Sequence, residues 1–173
     1  MTSNHDTAPD NCDGSPNVSR LAELLLAKKW RLVTAESCTG GMISAACTDL
    51  AGSSAWFERG FVTYSNDAKM ELLGVEERIL RRAGAVCQGV AKAMALGAIA
   101  QSHADVAVAV TGVAGPTGGS ASKPVGTVWF GFALPGQVLT EKCHFDGDRA
   151  AVRSATLLHA VSRLIELLKK ADA

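Results

Sequence analysis

No apolar segment of the 173-residue chain is long enough to cross a bilayer, and the N-terminus is polar and acidic where a secretory leader would be basic and then apolar. A soluble, cytoplasmic protein with no membrane partner is expected. Charge of one sign is also missing: 17 Lys and Arg balance 17 Asp and Glu, with no long run of either, so there is no electrostatic footprint for nucleic acid. A small-molecule partner fits better. The five cysteines, Cys12, Cys38, Cys47, Cys87 and Cys143, are odd in number and contain no C-x-x-C pair, which removes a disulfide framework and a zinc site. Most of them read as small buried hydrophobes. Cys38 is the exception to weigh, since a thiol at a helix start can have a lowered pKa, but no histidine stands near it in sequence. His5, His103, His144 and His159 show no metal-ligand spacing, so no metal is expected. Neither G-x-G-x-x-G nor G-x-x-x-x-G-K-[ST] occurs, and dinucleotide and P-loop assignments fail with them.

What is present fits one domain with a substantial core. Residues 1–16 are rich in Asn, Asp, Ser, Thr, Pro and Gly and carry almost nothing apolar, which predicts a disordered tail ahead of a single domain over 17–173. Val18, Leu21, Leu24 and Leu25 recur at helical spacing behind Asn17, a capping residue, and predict a helix from Val18 to about Lys29. A small-residue helical stripe (Val90, Ala91, Met94, Ala95, Ala98, Ile99) predicts a helix that approaches a sheet closely and leaves a homodimer open. The run from Asp105 to Val110 reads as a strand buried on both faces. Pro124 to Leu134 and Gln137 to Phe145, joined by Pro135-Gly136, read as a hairpin, so the sheet mixes parallel and antiparallel strands. Asp148 can cap a last helix with a broad apolar face.

Three polar clusters carry the candidate chemistry. Thr34 to Gly41 passes from the apolar run Arg31-Leu32-Val33 into the helix beginning at Met42. Free N–H groups at a helix start can hold an anion or a developing oxyanion, and Ser37, Thr39, Gly40 and Gly41 lie there; simple N-capping is the alternative. Tyr64 to Lys69 passes from a strand (Phe57 to Tyr64) into a capped helix, with Lys69 in or near its first turn, against the helix dipole. A solvated lysine is the plain alternative. The third cluster, Thr111 to Ser120, is a glycine-dense loop containing Gly112 and Gly115, able to present N–H groups to an anion or simply to connect two strands. Arg149 and Arg153, one helical turn apart, point together and can meet a phosphate or the solvent. Three clusters after three strands can converge on one crevice of an open α/β sheet. Their chemistry is hydroxyl plus lysine: a desolvated amine takes the proton of a serine while backbone N–H groups hold the tetrahedral intermediate. Tyr64 can relay or orient the proton.

The motifs Ala35-Glu36-Ser37-Cys38-Thr39-Gly40-Gly41, Gly52-Ser53-Ser54-Ala55-Trp56-Phe57, Gly60-Phe61-Val62-Thr63-Tyr64-Ser65-Asn66, Thr111-Gly112-Val113-Ala114-Gly115-Pro116 and Lys123-Pro124-Val125-Gly126-Thr127-Val128 resemble the CinA C-terminal domain family of nicotinamide-nucleotide amidohydrolases. The resemblance runs from about Val18 to the C-terminus. It implies an α/β protein, three-layer α/β/α with a mixed, mostly parallel sheet, that hydrolyses nicotinamide mononucleotide to nicotinic acid mononucleotide and ammonia without a cofactor, in pyridine nucleotide recycling. By motif, Ser37, Ser54, Tyr64, Lys69 and Thr111 match the family's active-site positions. Ser37 is the favoured nucleophile, because it has the helix start to supply an oxyanion hole, and Lys69 is the general base; Ser54 is the rival nucleophile. Thr39, Gly40, Gly41, Gly112 and Gly115 are expected around phosphate, ribose or amide. The second reading is a non-catalytic nucleotide-binding or regulatory module.

Overall fold

The order in which the strands lie side by side, β2-β1-β3-β4-β5, determines where a site can form. The computed structural model of the chain describes residues 16–171, so the predicted tail lies outside the described residues apart from Pro16. The strands are β1 (Leu32–Glu36), β2 (Phe57–Val62), β3 (Val106–Gly112), β4 (Thr127–Leu134) and β5 (Gln137–His144). The helices are α1 (Val18–Lys28), α2 (Met42–Asp49), α3 (Asn66–Leu73), α4 (Glu77–Ala83), α5 (Gln88–Ala100) and α6 (Arg149–Lys170). β1 pairs in parallel with β2 on one side and β3 on the other, while β4 and β5 continue the sheet as antiparallel strands. The chain therefore leaves β1 in one direction and returns past it in the other. Right-handed crossovers then put α2 on one face and α3 to α5 on the opposite face, and the crevice opens at the carboxyl end of β1.

Two cores fill the layers. Leu21, Leu25, Ile43, Cys47, Leu164 and Leu168 pack with Val108, Val110, Phe130 and Phe132 between α1, α2, α6 and the sheet. Val33, Ala35, Leu73, Leu80, Met94 and Ala109 form the other, under α3 to α5. β1 and β3 are buried along nearly their whole length, whereas the edge strands β2 and β5 are largely half-buried or exposed, as the continuous and alternating sequence patterns predict. The predicted caps form: Asn17 accepts from the Arg20 N–H and Asp148 from the Ala151 N–H.

The small-residue stripe meets its expectation of close packing. A Cβ on Gly131 of β4 would lie 2.2 Å from the Ala91 carbonyl oxygen of α5. Val90, Ala91, Met94, Ala95 and Ala98 are buried within the chain and Ile99 is half-buried, so these first five positions of the stripe pack internally. Boundaries differ where prolines and glycines intervene. β4 starts at Thr127 rather than Pro124, because Pro124 has no N–H to pair and Gly126 turns through a φ of 94°. No helix among the described residues is long and apolar enough to cross a membrane.

Candidate active site

The last paired residues of the three parallel strands are in register, Val62 beside Glu36 and Glu36 beside Val110. One residue further on stand Thr63, Ser37 and Thr111, in a row across the carboxyl ends of the strands. The ladder still reaches them: the Thr63 N–H donates to Glu36 O at 2.8 Å and the Ser37 N–H to Val110 O at 3.1 Å. Strand alternation turns Ser37 to the same face as Val33 and Ala35, the face covered by α3 to α5. All three side chains are buried.

α3 delivers Lys69 to this row. Ser65 caps the helix by accepting from the Ala68 N–H, and Lys69 projects inward one turn later with 1% of its surface exposed. Its Nζ lies 3.0 Å from Ser37 Oγ and donates to the Thr63 carbonyl at 2.7 Å. Among the described residues no carboxylate forms an ion pair with it. Burial disfavours the charged form and holds the amine below the usual lysine range, only partly opposed by the nearby Cys38. A neutral amine at hydrogen-bond distance from a serine hydroxyl is a base facing a nucleophile.

The start of α2 is occupied, contrary to the expectation that it supplies an oxyanion hole. The Glu36 carboxylate, fully buried, accepts from the N–H groups of Gly41, Ile43 and Ser44 and from the hydroxyls of Thr39 and Ser44, all within 2.7 to 3.0 Å. An anion from the protein itself therefore takes the helix terminus. The Gly40 N–H is also taken, by Ser37 O. Among the described residues, the main-chain N–H groups of Cys38 and Thr39 have no oxygen acceptor and meet only the Cys38 thiol, a weak acceptor, so they are the donors that a stronger acceptor beside Ser37 can claim. Sequence reading passed over Glu36; the signal was available, an acid ending an apolar strand just before a glycine-led helix. Thr63, whose hydroxyl is buried without a partner, carried no such signal.

The remaining predicted residues fall into three groups. Ser54 sits exposed in a 3-10 turn ahead of β2, at the edge where β1 and β2 begin, since the Leu32 N–H bonds Trp56 O. Roughly 15 Å of strand separates it from Ser37. The structure does not bring it to the Lys69 amine. Thr39, Gly112 and Thr111 are engaged in holding the site: Thr111 Oγ1 donates to Ala85 O at 2.8 Å, and a Cβ on Gly112 would meet Val128 at 2.7 Å and Cys38 Sγ at 3.2 Å. The third group surrounds a cavity of about 470 Å³ beside the loop after β3, lined by Ala114, Pro116, Val125, Gly147, Asp148, Arg149, Ala150 and Arg153. Both arginines line it, as their one-turn spacing predicts. Arg153 also donates to the carbonyls of Cys38 and Thr39, at 3.1 and 2.8 Å, which ties the cavity wall to the nucleophile loop. Arg149 donates to Gly115 O at 3.1 Å and to the Tyr64 hydroxyl at 2.9 Å. Tyr64 thus faces Arg149 and makes no hydrogen bond to Ser37 or Lys69.

Burial keeps the thiols of Cys38 and Cys47 protonated and so poor nucleophiles. Burial pushes Cys38 up to about 11 and Cys47 up to about 12, against the pull of the main-chain N–H groups beside Cys38. Cys12 lies outside the described residues. His159 is packed, with its ring 4.6 Å from that of Phe130 and Nε2 at 3.3 Å from Glu141. Among the described residues no three His, Cys, Asp or Glu side chains are grouped as metal ligands.

Known proteins resemble this chain in sequence and fold over most of its length. A nicotinamide-nucleotide amidohydrolase PncC of Enterobacter agglomerans is 60% identical over 147 residues, 84% of this chain and 90% of the relative. The protein of the same name from Escherichia coli strain K12 is 51% identical over 146 residues, 84% of this chain and 88% of its own. The crystal structure of a competence-damaged protein (CinA) superfamily protein from Escherichia coli superposes with a TM-score of 0.86 at 38% identity, covering 96% of this chain and 99% of that one. A competence/damage inducible protein CihA from Agrobacterium tumefaciens gives 0.81 at 46% identity, over 87% and 94%. With residues 15–168 matching the CinA C-terminal domain and the same fold in its solved members, the chain belongs to the CinA C-terminal domain family.

Proposed function

We propose that this protein hydrolyses the carboxamide of nicotinamide mononucleotide to nicotinic acid mononucleotide and ammonia, in pyridine nucleotide recycling, with Ser37 as nucleophile and Lys69 as base. The substrate class is supported by relatives 60% and 51% identical that bear the name nicotinamide-nucleotide amidohydrolase. One observation carries the mechanism: the Lys69 amine, buried and without a carboxylate, lies 3.0 Å from Ser37 Oγ. Neutral Lys69 accepts the Ser37 proton as Oγ adds to the carboxamide carbon. The resulting tetrahedral oxyanion is held by the N–H groups of Cys38 and Thr39. Collapse breaks the C–N bond, and the Lys69 ammonium returns its proton to the departing nitrogen as ammonia. Water, deprotonated by Lys69, then hydrolyses the Ser37 ester and releases the carboxylic acid. The cavity at the start of α6 suits the mononucleotide phosphate, with Arg149 as its partner, because Glu36 already fills the start of α2.

The test is ammonia release from nicotinamide mononucleotide by the wild type and single variants. Ser37→Ala and Lys69→Ala are expected to fall by at least about a thousandfold, the scale of a lost nucleophile or positioned base. Ser54→Ala is expected to retain turnover. Activity surviving in Lys69→Ala would remove the base, and loss in Ser54→Ala with retention in Ser37→Ala would exchange the nucleophiles. Binding of the mononucleotide without ammonia release by the wild type would identify a non-catalytic module.

A further inference from the structure

We propose that Arg149 reads the phosphate of the substrate and reports it to the Ser37–Lys69 pair by releasing Tyr64. This rests on the reading of the protein as a hydrolase of nicotinamide mononucleotide. Arg149 opens α6 and divides one guanidinium between two uncharged acceptors, Gly115 O at 3.1 Å and the Tyr64 hydroxyl at 2.9 Å, while lining the cavity. Among the described residues no carboxylate pairs with it, and the neighbouring Asp148 is engaged in capping α6. A phosphate dianion in the cavity is a far stronger acceptor for a guanidinium than a phenol is, and can take it through two parallel bonds. It draws Arg149 away from Tyr64.

The released ring has somewhere to go. Tyr64 is 60% exposed, and its hydroxyl makes no other hydrogen bond among the described residues, so Arg149 is its side-chain tether. Its main chain is already at the catalytic pair, because the preceding carbonyl, that of Thr63, accepts from Lys69 Nζ at 2.7 Å. Ordinary peptide dimensions then put the Tyr64 Cα within roughly 6 Å of the amine, a gap comparable to the length of the side chain. The proposed movement is a change of rotamer that turns the phenol from Arg149 toward Ser37 and Lys69, where it can orient or relay the proton. Substrate lacking the phosphate leaves the tyrosine tied, and it loses rate as well as affinity.

The experiment compares kcat and KM for nicotinamide mononucleotide and for nicotinamide riboside, which has the same amide and ribose and no phosphate. Wild type, Arg149→Met, and Arg149→Met combined with Tyr64→Phe are measured; both side chains are exposed, and unchanged thermal melts check that the variants fold. In the wild type the riboside kcat is expected to fall on the order of a hundredfold or more below that of the mononucleotide, the scale of one positioned proton-transfer group. Arg149→Met is expected to raise the riboside kcat toward the wild-type mononucleotide value while raising KM for the mononucleotide, and the double variant to lose that gain. A riboside kcat that Arg149→Met leaves unchanged or lowers, or a gain that survives Tyr64→Phe, overturns the coupling while the hydrolase reading stands. A wild type inert on the mononucleotide removes both.

Discussion

The Lys69 amine has exchanged its water shell for one serine hydroxyl and one carbonyl, at 3.0 and 2.7 Å. Its pKa is lowered by burial, so between that value and about 10.4 the unfolded chain binds a proton that the folded chain does not. Wild-type stability therefore rises with pH through that window, and the cost of the buried lysine is greatest below it. Lys69→Met is expected to abolish activity yet raise Tm at pH 7 by about 2–4 °C, what about 1 kcal/mol is worth in a chain of this size. Thermal melts at pH 7 and pH 10 check this, since the gap between variant and wild type should narrow at the higher pH. The same group sets the pH dependence of turnover. kcat/KM should climb as Lys69 loses its proton and level off below the usual lysine range; a profile still rising through about 10.4 would contradict a desolvated base.

Glu36 shows how one buried carboxylate organises a whole junction. It gathers the first N–H groups of α2 and the Thr39 hydroxyl, so the turn carrying Ser37 is fixed from the sheet side while Arg153 of α6 holds the Cys38 and Thr39 carbonyls from the other. Glu36→Gln presents an NH2 group to donors that need an acceptor. It is expected to cost about 2–4 kcal/mol in urea unfolding and to lower kcat more than it raises KM, because the turn loses its shape. A stable variant with unchanged kcat would deny Glu36 that part. α5 is held by a different device, the absence of side chains at its contact with β4. Gly131→Ala would drive a methyl to 2.2 Å from the Ala91 carbonyl, and a loss of about 1–3 kcal/mol is expected from calorimetry.

Across the molecule, the site is supplied by both faces of the sheet, Lys69 from the α3 side and the two arginines from α6. The far core still bears on stability alone. Leu164, fully buried between α6 and the sheet, should cost about 2–5 kcal/mol as Leu164→Ala, with kcat per folded molecule unchanged. A fall in kcat together with Tm would mean that α6 transmits the change to Arg149 and Arg153.

Local chemistry made much of this legible in the sequence. The strand and helix periodicities, the Asn17 and Asp148 caps and the hairpin at Pro135-Gly136 are decided by neighbours a few residues away, and the sequence carries them openly. So are the three hydroxyl and glycine clusters at strand ends, as is the lysine placed against its helix dipole. Contacts between distant segments are not written that way. That Ser37 meets Lys69, 32 residues on, while Ser54 is left at the opposite end of the sheet, follows from β1 and β2 running parallel. That Glu36 fills the helix terminus expected for substrate, and that Tyr64 faces Arg149 across 85 residues of chain, depends on which side of the sheet each crossover takes. Residue types and short spacings determine which chemistry is available; only the packed sheet brings particular donors and acceptors within the three ångströms at which that chemistry operates.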